Sequence, residues 1–418
     1  MRASRVWRKV LQVERTIIDW FRFEGDADSG EGEVMVFSVR PTAAARRRCS
    51  RCGRRCPGFD SGGGLRRWRS LDNGAVKVFL ESAAPRVRCH RDGVVVAAVP
   101  WARPGARFTW AFEDQCAWLA ARAAKSVVCE LLRVTWRSVT AVIDRVVADQ
   151  GAKTDLLSGV RRIGIDEIAH RKGHRYLTCV VDHDTGRLVW AAAGRNTETL
   201  LKFFDALGPD RSAVLTHVSA DGAQWIHRAV TSRAPQAVLC IDPFHVVAWA
   251  TKALDEVRRS MWNTLRGNGN TGSAGDLKGA RWALVKNPED LTPEQRGALA
   301  SIAKTNARLY RAYLLKEQLR LVFKVKGQTG RELLAGWLAW AARSRLPGFV
   351  KLGRTIKKYL PLIHNNLEHG LSNALSEATN THIRGLTKRA NGFHTADALI
   401  SMAMLTRGGL CPSLPGRP

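Results

Sequence analysis

The chain has 418 residues, 45% of them apolar and 7% aromatic, enough to bury more than one core and to hold roughly two to four domains. Sixty-six Lys and Arg against thirty-seven Asp and Glu leave a net charge of +29, which favours a polyanionic partner, nucleic acid before a membrane surface. No run of about 18 apolar residues occurs, and the N-terminal MRASRVWRKVLQVERTIIDWF carries Glu14 and Asp19 where a secretory signal would be apolar, so a cytoplasmic chain with no membrane association is expected.

Residues 5–40 read as a short mixed or strand-rich piece in which the alternating VMVFSV follows an acidic, Gly-rich turn, DADSGEGE. Four of the nine cysteines fall in the first quarter of the chain, whereas Cys116, Cys129, Cys179, Cys240 and Cys411 are scattered. In RRRCSRCGRRCPG, Cys49-x-x-Cys52-Gly has the form of a metal knuckle, and RVRCHRDG brings Cys89 as a third thiolate. Asp92 stands where the second cysteine of a second Cys-x-x-Cys-Gly would fall. The expected Zn²⁺ set is therefore Cys49, Cys52 and Cys89 with Asp92 first, or else His90 or Cys56, as the fourth ligand, since zinc accepts carboxylate and imidazole. VKVFLESAAPRVRC alternates like a hairpin, and PWARPG marks a boundary that closes a zinc-binding module over residues 1–106.

From Phe112 the apolar period becomes helical, and a helix-turn-helix is expected within 107–150. Ala123 to Leu132 would be the supporting helix, Arg133-Val134 the turn, and Thr135 the N-cap of a recognition helix presenting Trp136, Arg137 and Thr140. Val139, Val142, Ile143 and Val146 form its buried stripe; Arg137 is expected near base edges and Lys125 nearer phosphates. An ordinary helical hairpin shares this apolar pattern.

Beyond Gly151 the order of elements is informative. RRIGIDEIA, YLTCVVD and RLVWAAAG read as three strands joined by short turns, followed by helix NTETLLKFFDALG, strand AVLTHVSAD, helix QWIHRAVTSRAP, strand AVLCIDPFH and a long helix. Three antiparallel strands followed by alternating helix and strand is the order of a ribonuclease H-like α/β core, in which the first and fourth strands are neighbours and Asp166 would face Asp221. Asp166 and Glu167 side by side in a strand of so basic a chain need a partner: an arginine, water, or a divalent cation. Two carboxylates at close range ionise together cheaply only around a cation, and two Mg²⁺ or Mn²⁺ ions about 3.5–4 Å apart would align a nucleophile with a scissile phosphate. A third carboxylate on a later helix is supplied by Glu377 in SNALSEATNTHIRGLTKRANGF.

The blocks GIDE, SADGAQW, IDPFHVV, LVKNPEDLT and SNALSEATNTHIRGLTKRANGF, in this order, resemble the transposases of the ISL-three group of bacterial insertion sequences, and PWARPGARFT and RVRC extend the likeness to that group's zinc-binding and helix-turn-helix parts. The resemblance implies a DDE transposase with Asp166, Asp221 and Glu377 as catalytic metal ligands, acting on terminal inverted repeats and target DNA in double-stranded form as a homodimer or higher homo-oligomer. Asp242-x-x-His245 resembles an accompanying motif; Asp242 is expected to brace the site through a hydrogen bond to His245. Asp92 departs from the family's cysteine. Residues 151–249 and 366–405 would be the two parts of the catalytic core, 250–365 an all-helical insertion containing the polar linker GNGNTGSAGD, and 406–418 a tail. Arg384, Lys388 and Arg389 are expected at phosphates, and Trp282, Trp337 and Trp340 either stack on unpaired bases or, more in keeping with aromatics on helices, pack in a core. A structure-specific nuclease, a zinc and helix-turn-helix repressor, and a domesticated transposase are the rival readings; the repressor has no use for three convergent carboxylates, nor the nuclease for a sequence-reading N-terminal module.

Overall fold

The computed structural model describes residues 3–25, 33–269, 275 and 277–417, so most of the expected DADSGEGE turn and of the GNGNTGSAGD linker lies outside the described residues. The chain divides into two compact units, Met1–Leu156 with Gly385–Pro418, and Leu157–Arg384.

In the first unit, β1 (Thr16–Glu24), β2 (Val34–Pro41), β4 (Leu65–Arg69) and β5 (Lys77–Ala83) form a sheet in the order β1-β2-β5-β4, while β3 (Gly58–Asp60), β6 (Arg86–Cys89) and β7 (Gly93–Val96) form a smaller one in the order β3-β6-β7. Alternation along β2 and β5 buries Met35, Phe37, Val39, Val78 and Leu80 in one core, and the helix Ala3–Val10 covers it with Trp7, whose ring meets Phe37 at 5.0 Å. The PWARPG segment is not a loose linker. Trp101 is buried in the same core, edge-on to Trp68 at 5.5 Å, and the buried Arg103 ion-pairs with Glu113, Asp114 and Asp149 at 3.3, 2.6 and 3.2 Å, tying the segment to the helices that follow.

Those helices are Trp110–Arg122, Lys125–Leu132 and Trp136–Lys153. Ala123 is extended and ends the first, so the second starts at Lys125, two residues later than its apolar pattern indicates. Arg133 takes the left-handed conformation that ends a helix, and the Thr135 side chain accepts from Ser138 N to start the next. Val139, Val142, Ile143 and Val146 are buried as expected. The C-terminal helix Ala396–Arg407 packs against Trp136–Lys153 and Trp110–Arg122 within this unit.

The second unit holds β8 (Arg162–Arg171), β9 (Arg175–Asp182), β10 (Leu188–Ala193), β11 (His217–Ala220) and β12 (Val238–Ile241) in the order β10-β9-β8-β11-β12. The first three pair antiparallel, and β11 pairs parallel with both β8 and β12. β11 is shorter than its apolar run because Pro209–Ala213 forms a helical turn at its start. The 25-residue helix Pro243–Gly267 runs across the boundary drawn at residue 249, and its buried face shares one core, from Ile241 to Leu367, with the helices beyond it. Trp337 belongs to that core, fully buried with its indole N–H donating to Leu315 O at 2.7 Å; Trp340 packs against it, and only Trp282 of the three is exposed.

Candidate active site and metal centre

β11 and β12 run parallel to β8, and their register sets three aspartates side by side. Ser219 pairs with Gly164, so two residues further along Asp221 stands level with Asp166; Ala220 pairs with Ile241, so Asp242 stands level with Asp221. Asp166 is thus central, Asp221 adjacent, and Asp242 one strand further out. The Asp221 carboxylate accepts from Ala223 N at 2.8 Å, and this turn is held from the helical region, where Tyr359 Oη donates to Gly222 O at 2.8 Å.

The adjacent acids of β8 separate into two environments. Glu167 takes an arginine: Arg195 Nε donates to its Oε1 at 2.9 Å. Asp166 takes two neutral donors, the Glu167 amide to Oδ1 and Asn380 Nδ2 to Oδ2, each at 2.8 Å. Burial pushes the Asp166 carboxyl up to about 6, against the Glu167 amide and His245, and Asp221 and Asp242 add to the rise. Burial likewise raises Asp242, and raises Glu167 with help from Asp221. Such a desolvated group of acids favours protons in the free chain and would favour a hard divalent cation over them.

Asp242 does not hydrogen-bond to His245 as expected. His245 Nε2 lies 3.9 Å from its Oδ2, too far for a hydrogen bond, because Asp242 is the N-cap of the helix that carries His245. Its Oδ1 instead accepts from Phe244 N at 3.4 Å and Asn373 N at 3.3 Å.

Glu377 is exposed on the first turn of the helix Ala374–Arg389. The opposite stripe of that region is polar and buried: Asn373, Ser376, Thr379 and Asn380 are each at most 2% exposed. Asn373 Nδ2 donates to Ile165 O at 3.1 Å, and its Oδ1 accepts from Ser219 Oγ at 2.9 Å. With the Ser219 proton committed there, His183 Nε2, 2.7 Å from Ser219 Oγ, is the donor of that pair. Gly164 permits this close approach, since a Cβ there would collide with Ser376, Asn373 and His183. The sequence reading missed Asn373 and Asn380, although their spacing of seven, two helical turns on one face, is visible in SNALSEATN.

The cysteine cluster is more closed. Cys49, Cys52, Cys89 and Asp92 converge with all ligand atoms within 4.8 Å of one another, the one such group among the described residues. Asp166, Asp221 and Glu377 therefore do not converge that tightly. Cys52 Sγ lies 3.6 Å from Cys89 Sγ, close to the roughly 3.8 Å edge of a tetrahedron with 2.3 Å metal–sulfur bonds. Asp92 Oδ2 is 3.2 Å from Cys49 Sγ and 3.4 Å from Cys89 Sγ, and the Cys49 thiol holds the Asp92 carboxyl below its ordinary range. Cys56 turns to Arg54 O at 3.4 Å, and exposed His90 stands outside the group.

Of the basic candidates, Arg137, Arg384 and Lys388 are exposed. Lys125 is half-buried, bonded to Thr140 Oγ1 and 4.9 Å from the Trp136 ring centroid. Arg389 is exposed as well, and its Nη2 donates to Ala120 O and Ala121 O at 3.1 and 3.4 Å, at the carbonyl end of Trp110–Arg122.

A family model described as the helix-turn-helix domain of transposase family ISL3 matches residues 97–147, and an ISL3 model of the DDE class, described as transposase, matches residues 163–403, more than half of the chain. The chain belongs to the ISL3 family of transposases. Over 437 aligned positions it is 54% identical to the transposase for insertion sequence element IS1557 of Mycobacterium tuberculosis, covering all of this chain and 98% of that protein. It is 27% identical over 365 positions to the transposase for insertion sequence element IS1001 of Bordetella parapertussis, covering 87% of this chain and 89% of that one. This ISL3 transposase is thus the transposase of an insertion sequence, a DDE-family enzyme with a helix-turn-helix DNA-binding domain and a Cys/Asp cluster suited to a metal ion. No helix among its described residues is long and apolar enough to cross a membrane.

Proposed function

We propose that this transposase binds the terminal inverted repeats of its element and cuts and joins DNA strands in a ribonuclease H-like core, with Asp166, Asp221 and Glu377 holding two Mg²⁺ or Mn²⁺ ions. The observation that carries the reading is the register that sets Asp166 and Asp221 level on adjacent parallel strands, beside a helix that bears Glu377 and is bonded to Asp166 through Asn380. The sheet order β10-β9-β8-β11-β12, three antiparallel strands and then two parallel ones, is that of a ribonuclease H-like fold and supports it. The donor set is all oxygen and acidic, which suits Mg²⁺ or Mn²⁺. When bound, such ions activate the attacking hydroxyl and offset charge on the phosphate. Asp242, bonded to the helix start and to Asn373, supports the site from behind. Residues 250–365 act as a helical insertion between the two parts of the core.

Zn²⁺ fits Cys49, Cys52, Cys89 and Asp92 and would hold the knuckle to the β6–β7 hairpin. Arg137, exposed on the helix Trp136–Lys153, reads base edges, with Lys125 shaping that surface through Thr140 and Trp136; Arg384 and Lys388 meet phosphates. The protein works on DNA in the cytoplasm as a homodimer or higher homo-oligomer, because two element ends must be cut together. The test is cleavage of a labelled duplex carrying the element's end. The wild-type chain should cut at the element boundary in Mg²⁺ or Mn²⁺ and not with a chelator, and Asp166→Asn should bind the end without cutting it. Cutting that persists with chelator would overturn the two-metal reading.

A further inference from the structure

We infer that Asn380 is a positioning residue for the catalytic metal site, its side-chain amide fixing the Asp166 carboxylate that receives the ion. The inference rests on the proposed role of Asp166 as a metal ligand.

Asn380 Nδ2 donates to Asp166 Oδ2 and the Glu167 amide donates to Oδ1, both at 2.8 Å. Each carboxylate oxygen so has one donor, and the group cannot rotate about its Cβ–Cγ bond without losing both. Each oxygen also keeps a lone pair for a cation. The donors are neutral, and this matters: an arginine would hold the carboxylate as firmly and compete with the ion for its charge, as Arg195 does at Glu167. An asparagine orients the acid and leaves its charge to the metal. Asn380 is 2% exposed, and its Oδ1 is buried with no hydrogen bond from the chain, an acceptor suited to water carried by an ion.

The anchor is built to hold. Asn373, two turns earlier, bonds Ile165 O through its amide and Asp242 through its backbone N–H, while Gly164 gives the helix room to approach. The chain is therefore clamped to β8 at two asparagines, and Glu377 lies between them, four residues after Asn373 and three before Asn380.

The experiment is a Mg²⁺ titration of labelled-end cleavage by the full-length chain with Asn380→Leu, which keeps the volume and removes the donor, and with Asn380→Ala; melting curves establish that each is folded. The half-saturating Mg²⁺ concentration should rise about 10- to 100-fold, with cleavage recovering at high Mg²⁺ or in Mn²⁺. A purely structural role would lower cleavage at every Mg²⁺ concentration without moving the midpoint, and an unmoved midpoint in either folded variant overturns the inference. Asp166→Asn is run in parallel. If it cleaves, the metal-ligand reading fails and takes this inference with it; if it is inactive while the Asn380 midpoint stays put, the positioning role alone is wrong.

Discussion

The two metal-suited sites differ in how far the chain closes them by itself. Cys49, Cys52, Cys89 and Asp92 already converge within 4.8 Å, whereas Asp166, Asp221 and Glu377 do not. Thiols are neutral near pH 7 and can hydrogen-bond to one another and to one carboxylate, so a single acid among three cysteines has donors on hand. Carboxylates brought together in a half-buried sheet have no such recourse. Burial raises the Asp166 carboxyl, Asp221 and Asp242 add to the rise, and Glu377 lies exposed at the helix start. The cysteine cluster is closed in the free chain, and the acids of the sheet are not.

The sharpest way to break this contrast is to remove the acids singly. Asp221→Asn and Glu377→Gln should each abolish end cleavage while leaving repeat binding intact, and Asp242→Asn, one strand further out, should leave residual activity. Full cleavage by Asp221→Asn with none by Asp242→Asn would exchange the two assignments.

Next in size is the effect of emptying the cysteine site. Metal analysis of the purified chain should find one zinc, lost in Cys52→Ala and Cys89→Ala but retained in Cys56→Ala and His90→Ala. Because structural zinc contributes roughly 10–16 kcal/mol of apparent binding energy in small domains, its loss should unfold the knuckle and hairpin, read by hydrogen exchange over residues 49–96. Zinc retained in Cys89→Ala would rule this ligand set out.

The raised Asp166 carboxyl makes stability depend on pH. In metal-free protein the Asp166 carboxyl titrates at about 6 against an ordinary 3.8, so the folded state binds more protons than the unfolded one between those values. Its contribution is then greatest below pH 4 and is lost as pH rises through 6, by roughly 3 kcal/mol at pH 7.5. Denaturant unfolding in chelator should show that decline, Asp166→Asn should flatten it, and Mg²⁺ should restore stability at pH 7.5. A slope unchanged in Asp166→Asn would show that other groups produce it.

The same distinction between satisfied and waiting groups applies to two arginines. Arg137 is exposed, and if it reads the repeat as proposed, Arg137→Ala should cost about 1–3 kcal/mol on the repeat and relax base preference at one position; equal weakening on random DNA would make it a phosphate contact. Arg389 already caps a helix end, so Arg389→Ala should lower stability by about 1 kcal/mol and leave the salt dependence of DNA binding unchanged.

Much of this protein is written in local pattern. Period two along β2 and β5, period 3.6 along Trp136–Lys153, the Thr135 cap and the Cys-x-x-Cys-Gly turn are short-range features, and each is readable because neighbouring residues alone decide it. Asp166 and Asp221 stand out in the sequence as well, as charged residues in or just after apolar strands, and their parallel register sets them level. What local pattern does not contain is which groups meet across the chain. Only the tertiary structure gave Glu167 to Arg195 and Asp166 to Asn380, residues 28 and 214 positions away. It also packed the C-terminal helix on the helix-turn-helix, bonded Arg389 to the carbonyl end of Trp110–Arg122, and gave Asp242 to Asn373 rather than to His245. These are choices among competing donors for buried polar groups, and they are decided by packing, because every buried donor and acceptor must find its partner at once.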